Sequence, residues 1–330
     1  MRTGRIVKIS VITLGLYFFA TQSFAQTFTY TQIDVPNSSV TRPFGSNSLG
    51  QIVGLSRDGD GTPHGFLRYT DGTYLKFEYP GAIFTNATSI NDQGQIVGRW
   101  IDSRGYNHTY LRSPSGDFSN FDPPAPCFPG LADNRSIPAR APNKPTIAHG
   151  INNRGDRVGR CFAHDGHEYG WILYNDGTFQ ILTGTSFDSS DAWFAPNGGQ
   201  YIAGGDYSVG AGQFCASPGE SIHNNGACFL HGVLWTRNGD FTTLDVHNSP
   251  TALRAMNSSG DISGVYIDAA LARNHGFLLR NGVVTDIDFP NSIDSGDNTF
   301  INDNGLITGS FFDVAGVEHG FIATCSGNGC

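Results

Sequence analysis

The sequence predicts an all-β fold, a six-bladed β-propeller with four antiparallel strands per blade, on three observations. A phrase of the form His-Gly-Phe-Leu recurs at near-constant steps. A tight Asn-x-x-Gly turn signal recurs with it. The two chain ends carry complementary pieces of the sixth copy. In the 330-residue chain the phrase reads His64-Gly65-Phe66-Leu67, His108-Thr109-Tyr110-Leu111, Tyr169-Gly170-Trp171-Ile172, His231-Gly232-Val233-Leu234, His275-Gly276-Phe277-Leu278 and His319-Gly320-Phe321-Ile322. The steps are 44, 61, 62, 44 and 44 residues. Six copies of such a unit, two of them lengthened, mark a repeat architecture, and the unit length suits one propeller blade.

Read in order, the chain opens on Arg2, Arg5 and Lys8, a mostly apolar run from Ile9 to Ala20, and a small-x-small site at Ser23-Phe24-Ala25. Residues 1–25 are thus expected to be a cleaved signal peptide, with 26–330 a single propeller domain. The apolar run is short of the ~20 residues that span a bilayer, so no membrane span is expected. Phe28 to Val35 reads as an outer strand. The cleanest unit, 281–324, shows the internal plan. Asn281-Gly282 is a turn, Val283 to Asp288 a β-rich run, and Phe289-Pro290 a break. Thr299-Phe300-Ile301 is a short strand, Asn302-Asp303-Asn304-Gly305 a tight turn, Leu306 to Phe311 a second strand and His319 to Ala323 a third. The chain ends on a His-Gly-Phe strand without the strand that normally follows it, and Phe28 to Val35 is that strand. Pairing the two would close the ring and remove an exposed sheet edge.

The repeated pieces resemble the HAF repeat family of exported bacterial proteins. They are the Ile90-Asn91-Asp92-Gln93-Gly94 type of turn, the Gln95-Ile96-Val97-Gly98 type of strand and the His-Gly-Phe-Leu strand, and together they cover nearly all of the chain after residue 27. Gly stands here where the family phrase has Ala. The resemblance implies an exported repeat protein of propeller type. It brings no activity, substrate or catalytic residue.

Strands that run up and down alternately put the Asn-x-x-Gly turns and the Asn-Gly or Asp-Gly hairpins on one face. Both lengthened connections, about 124–146 and 205–230, emerge on the other, the upper face. Irregular loops on a regular scaffold are where repeat proteins place binding. The six cysteines suggest disulfides in an exported chain. Loop positions favour the pairs Cys127–Cys161, Cys215–Cys228 and Cys325–Cys330.

Loss of the signal would take the formal charge from −9 to −12. Nucleic acid is excluded as a partner, since its affinity comes from phosphate neutralisation. The recurring histidines start the same strand in every unit, so they are expected to be structural hydrogen-bonding residues and not converging metal ligands. His164-Asp165-Gly166-His167, Arg154-Gly155-Asp156 and Asp58-Gly59-Asp60-Gly61 read as turns, and no metal or cofactor is expected. The recurring acids Asp58, Asp102, Asp165, Asp268 and Asp313 are likewise expected to cap turns. Near the start of the inner strands, where loops converge on the axis, Arg42, Asn86, Asp191, Arg254 and Asp297 differ from unit to unit, and they are the candidate ligand-binding residues. No serine-hydrolase, phosphate-loop or dinucleotide pattern is present, so no catalytic residue is assigned. These features point to a secreted or periplasmic, monomeric, non-enzymatic binding module whose partner is a glycan, an envelope component or an exported or cell-surface protein. The alternative is a polysaccharide-acting hydrolase or lyase using acids at the axial mouth.

Overall fold

The computed structural model describes residues 26–121, 146–162, 168–182, 189–194, 201–209, 228–236, 241–268, 270–296 and 299–326. The expected signal segment 1–25 and most of both lengthened loops lie outside the described residues.

Among the described residues the strands form six four-stranded antiparallel sheets, one for each repeat. The first strand, β1 (Thr27–Ile33), belongs to the last sheet. Sheet one is β2 (Ser38–Ser46), β3 (Ile52–Asp58), β4 (Pro63–Arg68) and β5 (Tyr74–Phe77). Sheet two is β6 (Phe84–Ile90), β7 (Ile96–Ile101), β8 (Asn107–Arg112) and β9 (Phe118–Asn120). Sheet three is β10 (Thr146–Ile151), β11 (Arg157–Phe162), β12 (Glu168–Leu173) and β13 (Phe179–Leu182). Sheet four is β14 (Ser189–Phe194), β15 (Tyr201–Val209), β16 (Cys228–Thr236) and β17 (Phe241–Leu244). Sheet five is β18 (Thr251–Met256), β19 (Ile262–Asp268), β20 (Arg273–Arg280) and β21 (Val283–Asp286). Sheet six is β22 (Thr299–Ile301), β23 (Ile307–Phe312) and β24 (Glu318–Ser326), and β1 completes it by pairing with β24 from Thr27↔Ser326 to Ile33↔Gly320. The innermost strands contact one another in sequence order, and β2 also touches β22, β23 and β24.

The fourth unit departs from its expected boundary. β15 and β16 pair out to Val209↔Cys228, so Gly205 to Val209 and Cys228 to Leu230 are strand and not loop. Tyr207 and Val209 oppose Leu230 and Cys228 there, and such β-forming residues prolong the ladder into the longer connection.

Two parts of the repeat account for its recurrence. In the turn, Asn47 Oδ1 accepts the Gln51 N–H at 3.0 Å while Gly50 takes φ +82°, a conformation that needs glycine. The same Asn then reaches across to the next sheet: Asn302 Nδ2 donates to Asn47 O (2.7 Å), Asn47 Nδ2 to Asn91 O (3.1 Å) and Asn91 Nδ2 to Asn152 O (3.1 Å). In the second strand, a Cβ at Gly98 would lie 2.0 Å from the Asn86 carbonyl and 2.7 Å from the Tyr110 hydroxyl. Glycine lets the aromatic of the third strand lie over the second. Phe66, Tyr110, Trp171, Phe277 and Phe321 fill that place and are fully buried. Each such ring contributes about 2–3 kcal/mol by leaving water. The sheets then pack face to face, as where Val53, Leu67 and Phe77 meet Ala87, Ile90, Ile96 and Tyr110.

The inner strands share a further feature. β2, β6, β10, β14 and β18 each carry a β-bulge beside the residue that faces the second-strand glycine. The extra residue bends the strand and re-aims a side chain. Phe44, Thr88, His149 and Arg254 occupy this position in sheets one, two, three and five, and all four are buried.

Candidate binding face

The upper face carries the connections from second to third strand and from outer strand to the next inner strand. Its most regular polar feature is the repeated histidine, which ties these two loops together. His64 Nε2 lies 3.2 Å from Asp58 in one loop, and Nδ1 lies 2.8 Å from Glu78 in the other. His319 does the same with Asp313 (3.5 Å) and Asp34 (3.0 Å). His275 Nδ1 is 2.6 Å from Asp288, and His231 Nδ1 is 2.8 Å from Asp245. Each imidazole is spent on its own sheet, and no group of three metal-ligating side chains exists among the described residues.

Three of the recurring acids, Asp102, Asp268 and Asp313, are held as turn caps, whereas the Asp58 carboxylate takes Lys76 and His64 and leaves the turn N–H of Thr62 to Asp60. Asp102 Oδ1 accepts the Arg104 and Tyr106 N–H groups, both at 2.9 Å, and Asp313 Oδ1 accepts those of Ala315 and Val317, both at 2.8 Å. The backbone donors, those of Tyr106 and Val317 foremost, hold both carboxyls below the usual carboxylate range. Asp268 Oδ1 caps Ala270 N at 2.8 Å. Asp58 is lowered first by its hydrogen bond to Lys76. Asp165 lies outside the described residues.

Of the five candidate ligand residues, Arg42, Asn86 and Arg254 have described side chains. Arg42 makes a bidentate pair with Glu318, Nε to Oε1 at 2.7 Å and Nη2 to Oε2 at 2.6 Å, which joins β2 to β24. Asn86 is buried and accepts the Arg99 N–H at 3.1 Å. Asp191 sits on β14 opposite Gly205, the level that Arg42 and Asn86 hold in their own sheets, and its side chain lies outside the described residues. Arg254 stands at the bulge, beyond that level. Asp297 lies outside the described residues. The cysteine pairs meet the same boundary. Cys161 and Cys325 are described and neither is a free thiol, while their expected partners Cys127 and Cys330 are not described.

Among the described residues the inner strands enclose one small cavity. Phe44, Ser46, Thr88, Ser89, His149 and Phe300 line a cavity of about 20 Å³, room for a single water. A wider cavity of about 610 Å³ opens on the opposite, turn face, between sheets five and six. Its central charges are already matched, since Arg280 Nη2 lies 2.8 Å from Asp261 Oδ2.

The upper face holds an arrangement that the sequence reading passed over. Phe84, the first residue of β6, has the Arg99 guanidinium 4.7 Å from its ring centre and that of Arg57 6.0 Å away. On the same sheet Trp100 is stacked between Tyr79 (4.1 Å) and His108 (4.5 Å). The signal was present in the chain: Gly54 is followed three residues later by Arg57, and Gly98 and Gly159 directly by Arg99 and Arg160.

No family model matches the chain, and no curated protein matches it in sequence. Solved structures do match in shape. TolB from Acinetobacter baumannii is 14% identical over 83% of this chain and 64% of its own, with a TM-score of 0.54. AofleA from Arthrobotrys oligospora is 9% identical over 90% of this chain and 86% of its own, at 0.50. The β-propeller domain of the Trilobed protease from Pyrococcus furiosus is 7% identical over 87% of this chain and 97% of its own, at 0.47. The fold is a β-propeller. At these identities the likeness extends to the fold alone. Among the described residues no helix is long and apolar enough to cross a membrane.

Proposed function

We propose that the chain is an exported binding module. It is a six-bladed ring closed by the pairing of β1 with β24, and it holds a glycan, an envelope component or another exported protein on its upper face, in the periplasm or the medium. The observation that supports this reading is the polar and aromatic surface of the upper face, where the Arg99 and Arg57 guanidinium groups lie 4.7 and 6.0 Å from the Phe84 ring and Trp100 stacks on Tyr79 and His108. The six sheets and the contacts of β2 with sheet six support the ring. The export signal, the HAF-type repeats and disulfides pairing Cys127–Cys161, Cys215–Cys228 and Cys325–Cys330 belong to the same proposal. Each disulfide closes a short loop and would add roughly 2–4 kcal/mol.

A glycan array run beside a broad polysaccharide-degradation screen tests the reading. Binding without turnover is the expected result. Turnover of any polysaccharide would move the assignment to a hydrolase or lyase.

A further inference from the structure

The chain is acidic overall, yet among the described residues two guanidinium groups packed on one ring of the upper rim have no carboxylate within 4 Å. Arg42, Arg154, Arg273 and Arg280 each lie within 4 Å of an acid. Arg57 and Arg99 do not. Among the described residues, the hydrogen bond of the Arg57 side chain is to the Gly61 carbonyl at 3.1 Å, and Arg99 Nε makes none. Burial first, then the charges of Arg160 and Arg57, push the Arg99 guanidinium below its ordinary value. The ring of Phe84 between the two cations offsets only part of this, since one such contact at a partly exposed site gives about 0.5–1 kcal/mol. Elsewhere in the protein the stoichiometry is reversed: Arg112 alone is shared by Phe77 (4.9 Å) and Phe118 (5.8 Å). Two cations on one ring lack an anion.

We propose that Arg57 and Arg99, flanking Phe84, form a subsite for an oxyanion carried on a saccharide, a carboxylate or a sulfate. The proposal rests on the reading of the upper face as a binding face. A guanidinium presents paired N–H donors that match both oxyanions. The saccharide is favoured by the neighbouring aromatic faces, Phe84 and the Tyr79–Trp100–His108 stack, whose negative quadrupole faces suit the polarised C–H groups of a sugar ring. The charge of Arg160, on the next sheet, also acts on Arg99.

Calorimetric titration of the full mature chain with three probes tests this: an oligogalacturonate, the same oligomer as its methyl ester, and a sulfated oligosaccharide. The acid is expected to bind at least about tenfold more tightly than its ester, and Arg99→Gln to erase that difference. Arg57→Gln should do the same to a lesser degree. Arg104→Gln, which removes an exposed charge from the same face, should change affinity less than about twofold. The ranking of oligogalacturonate against the sulfated probe tells carboxylate from sulfate. Equal affinity for acid and ester, no binding of any probe, or equal effects of Arg99→Gln and Arg104→Gln would overturn the subsite. Equal binding of the ester by the wild type and Arg99→Gln, without preference for the acid, would remove the subsite and leave the binding face standing. If Arg99→Gln fails to fold, Arg57→Gln decides by the same comparison.

Discussion

The upper ends of sheets two and five are built from one repeat and treat charge in opposite ways. On the fifth sheet's side, Asp288 takes His275 Nδ1 at 2.6 Å, the Gly276 N–H at 3.2 Å and the Ser295 hydroxyl, with Arg273 at 3.6 Å. Asp294 accepts the N–H groups of Asn274 (3.1 Å) and Gly296 (2.7 Å), and Asp286 accepts the Tyr266 hydroxyl at 3.0 Å. All of this acid is consumed within the scaffold. On the second sheet's side, Arg57 and Arg99 share a phenyl ring. Turns supply backbone N–H groups in abundance, so a carboxylate on a turn finds donors locally. A guanidinium needs an acceptor, best an anion, and among the described residues Arg57 and Arg99 have no carboxylate within 4 Å. Acid on this scaffold is therefore architecture, whereas an uncompensated cation points outward.

The contrast can be broken at either end. The largest effect is expected at Asp288→Asn, which weakens the bonds to His275, Gly276 and Ser295 and strands Arg273. A loss of about 3 kcal/mol in unfolding free energy, read by urea denaturation, is expected, and a loss under about 1 kcal/mol would show that the fifth sheet's acids are not structural. Next comes Glu318→Gln, which leaves Arg42 without its counter-charge at the joint of β2 and β24. Glu318 is 6% exposed but the Arg42 side chain is 34% exposed, so the cost is expected near 2 kcal/mol, read by thermal denaturation. Arg99→Gln should behave oppositely. Removal of a guanidinium that burial and two other arginines disfavour should leave stability unchanged or raise it by up to about 1 kcal/mol in the absence of ligand. A loss as large as that of Glu318→Gln would make Arg99 scaffold like the rest.

The smallest effect concerns pH. Burial, then Asp288 and Asp286, push the half-buried Tyr30 phenol up to about 12. Between its ordinary value near 10 and about 12, the folded chain keeps a proton that the unfolded chain releases, so stability is complete below that window and falls as pH rises through it. Tyr30→Phe should flatten this slope by an amount on the order of 1 kcal/mol, given the exposure of the ring. Denaturation series from pH 9 to about 12 would show it, and an unchanged slope in the variant would place the alkaline loss elsewhere.

What the chain made legible is what repeats locally. The Asn-x-x-Gly turn, the second-strand glycine under an aromatic, and the histidine as a loop tie each recur at fixed offsets. Each satisfies its partners within one unit or with the next. The bulges were not legible, because a doubled residue in one strand shows only against its partner strand. For that reason Arg254 was grouped with Arg42 although register places it beyond the glycine-facing Leu253. The Arg42–Glu318 pair spans 276 residues and no periodicity relates the two. Arg57 and Arg99 stand at different offsets from their glycines, so the shared environment around Phe84 emerges only once sheets one and two are packed. Their absence from later units, where Gly264 and Gly309 are followed by Val265 and Ser310, was visible and would have been the clue.

The asparagine ladder on the turn face has a consequence for how such a chain can change in size. At three consecutive joints, including the one between the last unit and the first, each turn gives an amide forward and receives one on its carbonyl from behind. At the joint of the fifth and sixth units Asn257 Nδ2 donates instead to its own Asp261, and Ser258 and Asp303 make the bond across, but a unit joined by the ladder is a tile. Duplicating or deleting one leaves no donor or acceptor stranded along these joints, and the same holds when the chain ends are rejoined and a new break is opened elsewhere. Along these joints the turn face thus places no restriction on how many units the protein has.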